Sequence, residues 1–167
     1  MTKNDYELSA KIRALVNYGY EKKYIFDFQG TNSRIDEVQA ALLGIKLKYL
    51  DQDNQKRREI ARRYFHEIKN PLIALPGYSS GEDNVFHIFP IFSERRDELQ
   101  KYLKENGVET LIHYPVPPHK QACYPHWNKL SYPITEKIHS QELSLPISPV
   151  MTQSEVSTVI ELLNSWK

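Results

Sequence analysis

Residues 29–44, with the sequence QGTNSRIDEVQAALLG, open a long amphipathic segment that decides how the rest of the chain is interpreted. Ser33 and Asp36 have the spacing of a capping box, which predicts that a helix begins at Ser33. The same pattern continues to the Asn70-Pro71 pair, where proline disfavours a helical preceding residue. The sequence therefore predicts one long helix, whose apolar residues step by three and four: Ile35, Val38, Leu42, Ile45 and Tyr49.

Asn32 and Arg34 are polar residues at the start of this helix that the predicted cap does not need. A helix N-terminus carries partial positive charge and outward-facing N–H groups, so it suits a phosphate or carboxylate. The Asn32 amide and the Arg34 guanidinium would add donors to such a site. A second interpretation stays open, in which Asn32 satisfies a local turn and Arg34 is a solvated surface charge.

Beyond residue 70 the sequence alternates between predicted strands and helices. The first predicted helix of the chain is capped by Asn4 or Asp5, and the last by Thr152 with Glu155. This order favours an α+β fold, with the long helix, a small, mostly antiparallel sheet and helices on one face of that sheet. The predicted strands are residues 84–92 and 108–114, with a short third strand in residues 143–151, and the later helices are residues 94–107, 133–143 and 152 onward.

Composition limits the classes of function. The chain has 167 residues, 40% of them hydrophobic and 26% charged, which is typical of a folded domain. Its net charge of +1 argues against a nucleic-acid partner. No apolar run approaches the roughly 20 residues that span a bilayer, and the N-terminus lacks a signal-peptide pattern, so we expect a cytoplasmic protein without a membrane partner. The single cysteine, Cys123, excludes an internal disulfide.

The segment IHYPVPPHKQ, residues 112–121, is a second candidate for function. Its prolines predict a stiff loop after a strand, which would hold His113, Tyr114 and His119 in place to bind a polar ligand. A purely structural connection explains the same prolines equally well. The spacing of the histidines matches no zinc pattern, and no Cys-x-x-Cys accompanies them, so we expect no metal site.

The order of these segments resembles one family along essentially all 167 residues. The chain is similar to the C-terminal part of the DegT/DnrJ/EryC1/StrS sugar aminotransferases, pyridoxal-phosphate enzymes that aminate keto sugars on nucleotide carriers. The resemblance implies the small C-terminal domain of a fold-type I aminotransferase in residues 33–167, preceded in residues 1–32 by the tail of the large cofactor-binding domain. The matching segments are KIRALVNYG (11–19), GTNSRIDEVQAALLGIKLKYLD (30–51), VFHIFPI (85–91) and HYPVPPHKQ (113–121).

The resemblance also assigns roles to the candidate residues. It implies that Asn32 reaches across a homodimer interface to the phosphate of a partner subunit's pyridoxal 5'-phosphate, and that Arg34 binds the same phosphate or the substrate. It places His113, Tyr114 and His119 on the side of the nucleotide-sugar substrate. Because an apolar surface would normally be covered by the large domain, we expect this chain to self-associate.

One part of the family's pattern is missing from the chain. The Schiff-base lysine of the family lies before the segment that matches residues 2–8, so no catalytic residue is predicted here. The sequence thus predicts the C-terminal portion of an enzyme that moves an amino group from glutamate to a nucleotide-linked keto sugar, in deoxysugar biosynthesis. We expect the chain alone to be inactive and not to retain the cofactor. The alternative is a non-catalytic module that binds a nucleotide sugar or a partner protein.

Overall fold

The described residues of the computed structural model are 5–22, 25–77 and 83–167. They divide into two compact units, one ending at Tyr49 and the other beginning at Leu50. This division falls later in the chain than the boundary expected from the sequence. The assignment of residues 1–32 to a large domain and of 33–167 to a small domain stays a prediction.

Helices and strands are interspersed along the described residues, as expected for an α+β fold. None of the helices described is long and apolar enough to cross a membrane. The helices are α1 (Tyr6–Leu15), α2 (Glu37–Leu47), α3 (Leu50–Glu67), α4 (Arg96–Glu105), α5 (Pro133–Gln141) and α6 (Gln153–Ser165). The strands are β1 (Tyr20–Lys22), β2 (Ile25–Phe26), β3 (Phe89–Phe92) and β4 (Glu142–Leu145).

The first unit starts with α1, whose position was predicted correctly. Asp5 caps it by accepting a hydrogen bond of 3.0 Å from the backbone N–H of Leu8, while Asn4 lies outside the described residues. After α1 the chain turns through Tyr18 and Gly19, at φ values of 59° and 89°. The antiparallel pair β1–β2 follows this turn.

Two glycines bring separate backbone segments of this unit into direct contact. A side chain at Gly19 would place its Cβ only 1.8 Å from the carbonyl oxygen of Phe28. A Cβ at Gly30 would lie 2.3 Å from the Gly19 nitrogen and 2.5 Å from the carbonyl oxygen of Leu15. Because real atoms never approach this closely, only glycine allows the segment before α2 to lie against the end of α1.

The start of α2 corrects one prediction. The N-cap is Asp36, with extended backbone and no side-chain capping bond, so the prediction that Ser33 caps the helix was wrong. The first helical hydrogen bond runs from the N–H of Ala40 to the carbonyl of Asp36 at 2.8 Å, while the N–H of Ser33 donates to the carbonyl of Val16 at 3.0 Å. The segment before Asp36 is therefore extended along the end of α1 and cannot yet be helical.

The predicted single long helix is two helices. At Lys48 and Tyr49 the backbone N–H groups bond to the carbonyls three residues earlier, at 3.2 and 3.0 Å. A tighter turn thus replaces the α-helical pattern. The second helix, α3, begins at Leu50 and starts the second compact unit.

The second unit is built on the antiparallel pair β3–β4, in which Phe89 lies opposite Leu145 and Phe92 opposite Glu142. Phe92 also forms an isolated bridge with Ala74. The apolar core lies between these strands and α3, α4 and α6. Side chains with less than 2% exposure fill its centre: Tyr64, Phe89, Ile91, Leu99, Leu103, Leu143, Val156 and Leu163.

Residues 108–114 do not form the predicted strand. Leu111 and Ser144 exchange two backbone hydrogen bonds, of 3.3 and 2.7 Å, and among the described residues this isolated bridge is the whole pairing of the segment. Two residues later the N–H of His113 donates to the side chain of Glu142 at 2.7 Å, rather than to a backbone carbonyl. The ladder therefore ends after one bridge.

The capping box at the start of α6 is present as predicted. Thr152 Oγ1 accepts the N–H of Glu155 at 3.2 Å, and the Glu155 carboxylate accepts the N–H of Thr152 at 2.7 Å.

We expect Thr152→Ala to lower the free energy of unfolding by about 1 kcal/mol in urea titrations. Thr158→Ala is the matched control, because its hydroxyl bonds only to the preceding turn at Ser154 and alanine favours the helix. Equal effects of both substitutions would contradict the cap assignment.

Candidate functional site

The segment before α2 is fixed to the end of α1 by backbone hydrogen bonds. The N–H of Thr31 donates to the carbonyl of Leu15 at 2.8 Å, and the carbonyl of Thr31 accepts the N–H of Tyr18 at 3.1 Å. Asn32 itself forms an antiparallel bridge with Asn17. These contacts hold the backbone of Asn32 in one position while its side chain stays exposed.

Asn32 and Arg34 contact each other in front of α2. Arg34 Nε donates to Asn32 Oδ1 at 3.1 Å, and the guanidinium lies 6.0 Å from the centre of the Tyr18 ring. The bond uses the amide oxygen of Asn32 and leaves its Nδ2 hydrogens, with the terminal nitrogens of Arg34, as exposed donors. This donor set suits the phosphate of a cofactor. The same bond is local, two residues along the chain, so it also fits the interpretation of Asn32 as a residue that satisfies its own neighbourhood.

His113 lies at a cleft in the second unit. The cleft has a volume of about 460 Å³ and is mostly apolar, with His87, Thr110, His113 and Ser144 among its polar lining residues. The N–H of His113 donates to Glu142 at 2.7 Å, and its Nδ1 lies 2.9 Å from the hydroxyl of Ser144. The half-buried His113 is thus oriented by side chains of β4.

Tyr114 is the exposed neighbour of His113. The peptide bond between them is cis, and their rings meet edge to face at 5.6 Å. The carbonyl of Tyr114 accepts a hydrogen bond from the ring of His139 in α5. Tyr114 as a whole residue is 65% exposed, so it is accessible to a ligand.

His119 lies in a different environment. It is 5% exposed, and its Nε2 lies 2.8 Å from the carboxylate of Glu136 in α5. The Tyr132 ring packs against it edge to face at 5.0 Å. His119 forms part of the wall of an open aromatic groove of about 460 Å³, together with Trp127 and Tyr132. One ring nitrogen of His119 is therefore already bonded within the chain.

The sequence interpretation did not identify Glu136, Glu142 or Ser144. Each lies 17 to 31 residues from the histidine it contacts. Glu142 and Ser144 are almost fully buried although both have polar side chains. Their side chains leave no pattern in a single sequence that would reveal this contact.

The hydrogen bond between Glu136 and His119 predicts a pH dependence. The hydrogen bond from His119, with a second from the backbone of Tyr132, lowers the pKa of Glu136 below the usual 4.5. Because this pKa is depressed in the folded state, the carboxylate stabilises the fold above about pH 4.5. That contribution is lost as the pH falls through the lowered value.

We therefore expect Glu136→Gln to lower the urea midpoint at pH 6 and to have a much smaller effect at pH 3. Carbon-13 NMR titration of the Glu136 carboxyl group measures the lowered pKa directly. Glu94→Gln, which removes an exposed carboxylate from another part of the unit, should leave the midpoint unchanged at both pH values. A Glu136 pKa at or above 4.5 would contradict the assignment.

Metal chemistry finds no support in the described residues. They contain no group of three or more histidine, cysteine, aspartate or glutamate side chains arranged to hold a metal ion. Cys123 is exposed, and its thiol is free. The candidate sites are therefore the Asn32–Arg34 pair, the His113 cleft and the groove beside His119.

Comparison with known proteins identifies the class and then the family. Several relatives of the chain are dTDP-sugar transaminases. A sequence model of the DegT/DnrJ/EryC1/StrS aminotransferase family matches residues 1–164. The chain belongs to this pyridoxal-phosphate-dependent family, which confirms the resemblance seen in its sequence.

Two relatives show how much of the family's length is present. The dTDP-3-amino-3,6-dideoxy-alpha-D-galactopyranose transaminase of Aneurinibacillus thermoaerophilus is 52% identical over 99% of this chain and 46% of the relative. The dTDP-3-amino-3,4,6-trideoxy-alpha-D-glucose transaminase of Streptomyces venezuelae is 41% identical over 97% and 44%. The chain thus spans less than half the length of these curated relatives, and it matches a C-terminal part of them.

Solved structures agree on the fold. DesV of S. venezuelae superposes with a TM-score of 0.89 at 40% identity, covering 97% of this chain and 44% of that one. NtdA of Bacillus subtilis, solved with bound PMP, gives 0.86 at 34% identity, covering 96% and 40%. The expected small α+β domain of a fold-type I aminotransferase is confirmed.

Proposed function

We propose that this chain supplies the C-terminal part of an aminotransferase that moves an amino group from glutamate to a nucleotide-linked keto sugar. The observation that carries the proposal is the exposed Asn32–Arg34 pair before α2, whose remaining N–H donors bond to none of the residues that the structure describes. The similarity over 99% of the chain to a dTDP-sugar transaminase supports it.

In this proposal Asn32 and Arg34 bind the phosphate of pyridoxal 5'-phosphate held by a partner subunit. Asn32 donates through Nδ2, because its Oδ1 already accepts a hydrogen bond from Arg34. Arg34 donates through its terminal nitrogens, which can reach two phosphate oxygens at once. The cofactor, when bound, supplies the electron sink that amino transfer requires.

His113, Tyr114 and His119 are proposed to contact the nucleotide-sugar substrate. The exposed phenol of Tyr114 offers a hydrogen-bond donor and acceptor. His113 borders the apolar cleft, and His119 contributes to the aromatic groove. Pockets with apolar walls and a few oriented polar groups are the usual form of a small-molecule site.

We further propose that the chain is inactive by itself, because the lysine that holds the cofactor belongs to the part of the family that this chain does not match. The test is a chimera in which this chain replaces the matched part of the A. thermoaerophilus relative. We expect the chimera to aminate a dTDP-linked 3-keto-6-deoxy sugar with glutamate as donor. The chain alone, mixed with pyridoxal phosphate, should show neither turnover nor the absorbance band of a lysine-linked cofactor.

Either of two results would contradict this proposal. One is a folded chimera that binds pyridoxal phosphate but does not aminate any nucleotide-linked keto sugar. The other is turnover by the chain alone. The unmodified relative serves as the positive control, and the relative without its matched part serves as the negative control.

A non-catalytic module that binds a partner is the second candidate. The apolar side chains of α2 fit it, because Val38, Leu42 and Ile45 are each more than half exposed, although the first candidate predicts the same exposed surface where the large domain would pack. Exposed apolar surface of this kind marks interaction sites.

Sedimentation velocity should therefore show self-association of the chain. Calorimetry with dTDP- and UDP-sugars distinguishes the candidates further, since tight binding by the chain alone favours the module.

A further inference from the structure

Glu142, Ser144 and His113 form a closed hydrogen-bonded group beside the cleft. Glu142 and Ser144 lie on β4 and are 4% and 5% exposed. One carboxylate oxygen of Glu142, Oε2, accepts the backbone N–H of His113 at 2.7 Å. The other, Oε1, accepts the hydroxyl proton of Ser144. The same hydroxyl oxygen lies 2.9 Å from Nδ1 of His113.

The chemistry of these groups gives each hydrogen bond a direction. An ionised carboxylate can only accept, so the single hydroxyl proton of Ser144 points to Glu142. The Ser144 oxygen is then left to act as an acceptor toward His113. A distance of 2.9 Å between that oxygen and Nδ1 is a hydrogen bond only if one of the two carries the proton. That proton must be on Nδ1.

The opposite arrangement is much less favourable. If Ser144 donated to His113, its oxygen would face the buried carboxylate of Glu142 with no proton between them. Leaving a buried charged acceptor unsatisfied costs more than the hydrogen bond gained. The buried carboxylate therefore sets the orientation of the whole group.

We propose that Glu142 and Ser144 are positioning residues that fix the neutral ring of His113 in its Nδ1–H tautomer. The other ring nitrogen, Nε2, then has a lone pair, and it has no hydrogen bond to any described residue of the chain. Because His113 borders the cleft, Nε2 offers an acceptor to a ligand that donates through a hydroxyl group. Resting on the proposed function, we assign that donor as a hydroxyl of the sugar.

The first experiment reads the tautomer from the full chain labelled with nitrogen-15 in histidine. Long-range proton–nitrogen NMR spectra distinguish the protonated ring nitrogen from the one with a lone pair. At a pH where His113 is neutral, we expect its Nδ1 to be protonated and its Nε2 to be unprotonated. An Nε2–H tautomer, an even mixture, or a ring that stays doubly protonated up to pH 9 would overturn the proposal.

Glu142→Gln tests the direction of the hydrogen bonds. The glutamine oxygen must accept the backbone N–H of His113, so its NH₂ group donates to Ser144. The Ser144 hydroxyl proton is then free to donate to Nδ1, and we expect the ring proton to move to Nε2. Ser144→Ala removes the hydroxyl group that links Glu142 to Nδ1 of His113, and it should give a mixture of the two His113 tautomers. A folded Glu142→Gln variant that keeps the Nδ1–H form would overturn the proposal.

His139 provides an internal control in the same spectra. Its Nδ1 faces the carbonyl oxygen of Tyr114, which can only accept, so His139 should keep the Nδ1–H form in every variant. If Glu142→Gln does not fold, the wild-type tautomer and Ser144→Ala decide the question by themselves. Backbone amide spectra report folding independently of the histidine signals.

The role of the acceptor is tested in the chimera described above. His113→Phe, which removes the acceptor and keeps an aromatic ring, should raise KM for the nucleotide sugar roughly 3- to 10-fold, the effect of one neutral hydrogen bond, with a smaller change in kcat. Glu142→Gln does not test this contact, because a sugar hydroxyl can accept a hydrogen bond from the Nε2–H that this variant creates. An unchanged KM in an active chimera would overturn the contact with the sugar. A chimera that is inactive with wild-type His113, Ser144 and Glu142 would contradict the proposed function instead, and the tautomer result would still stand.

Discussion

Replacing Phe89 by alanine should lower the free energy of unfolding of the second unit by about 3–5 kcal/mol. Phe89 is completely buried in β3, and its ring meets the rings of Tyr64 and Phe65 edge to face, each at 5.0 Å. Truncation removes the transfer free energy of the ring and leaves a cavity that the neighbouring aromatic residues cannot fill. Domains of this size are stable by about 5–15 kcal/mol, so the variant should be close to unfolding.

Urea unfolding followed by the fluorescence of the buried Trp166 and by circular dichroism measures this loss. Leu111→Ala is the matched control, because that side chain is 65% exposed and should change the free energy by less than about 0.5 kcal/mol. A Phe89 variant within 1 kcal/mol of wild type would show that the core does not depend on β3, contrary to the burial described above.

The largest functional effect is expected at Asn32. In the active chimera, Asn32→Ala should weaken the binding of pyridoxal phosphate about 10- to 100-fold, because a hydrogen bond to a charged group contributes roughly 1.5–3 kcal/mol. The substitution also frees Nε of Arg34, which now donates to Asn32. Asn32→Asp should weaken binding further, since a carboxylate repels the phosphate.

Fluorescence titration of the cofactor-free chimera measures the dissociation constant. Gln39→Ala is the matched control, because it removes another exposed amide, from the first turn of α2, without touching the proposed phosphate site. The Asn32 assignment fails if the alanine variant binds pyridoxal phosphate as tightly as the parent chimera does. The Gln39 variant should bind like the parent.

The elements that the sequence predicted correctly are those held by local contacts. The capping box of α6 depends on two residues three positions apart, and both bonds are present. The helical spacing of Val156, Val159 and Leu163 predicted the buried face of the same helix. Local geometry and amphipathic periodicity are readable in one sequence because every participant lies within a few positions.

The elements that the sequence did not predict depend on distant parts of the chain. Ser33 has the residue type of an N-cap, but its backbone is paired with the end of α1, so the helix starts later. Residues 108–114 have the composition of a strand, but pairing stops where Glu142 takes the N–H of His113. The interruption at Lys48 and Tyr49 carries no glycine or proline signal, so the pattern alone could not reveal it.

Because Gly19 and Gly30 lie in direct backbone contact, the proposed phosphate site depends on Gly30 as well as on Asn32. Alanine at Gly30 would add a single methyl group, yet that group would collide with backbone atoms on the far side of the contact. The loop would have to lift, and Asn32, two residues further on, would be displaced with its own side chain intact. In a mutational scan, substitution of Gly30 would therefore have the same effect as loss of Asn32, although Gly30 has no side chain to contact the phosphate.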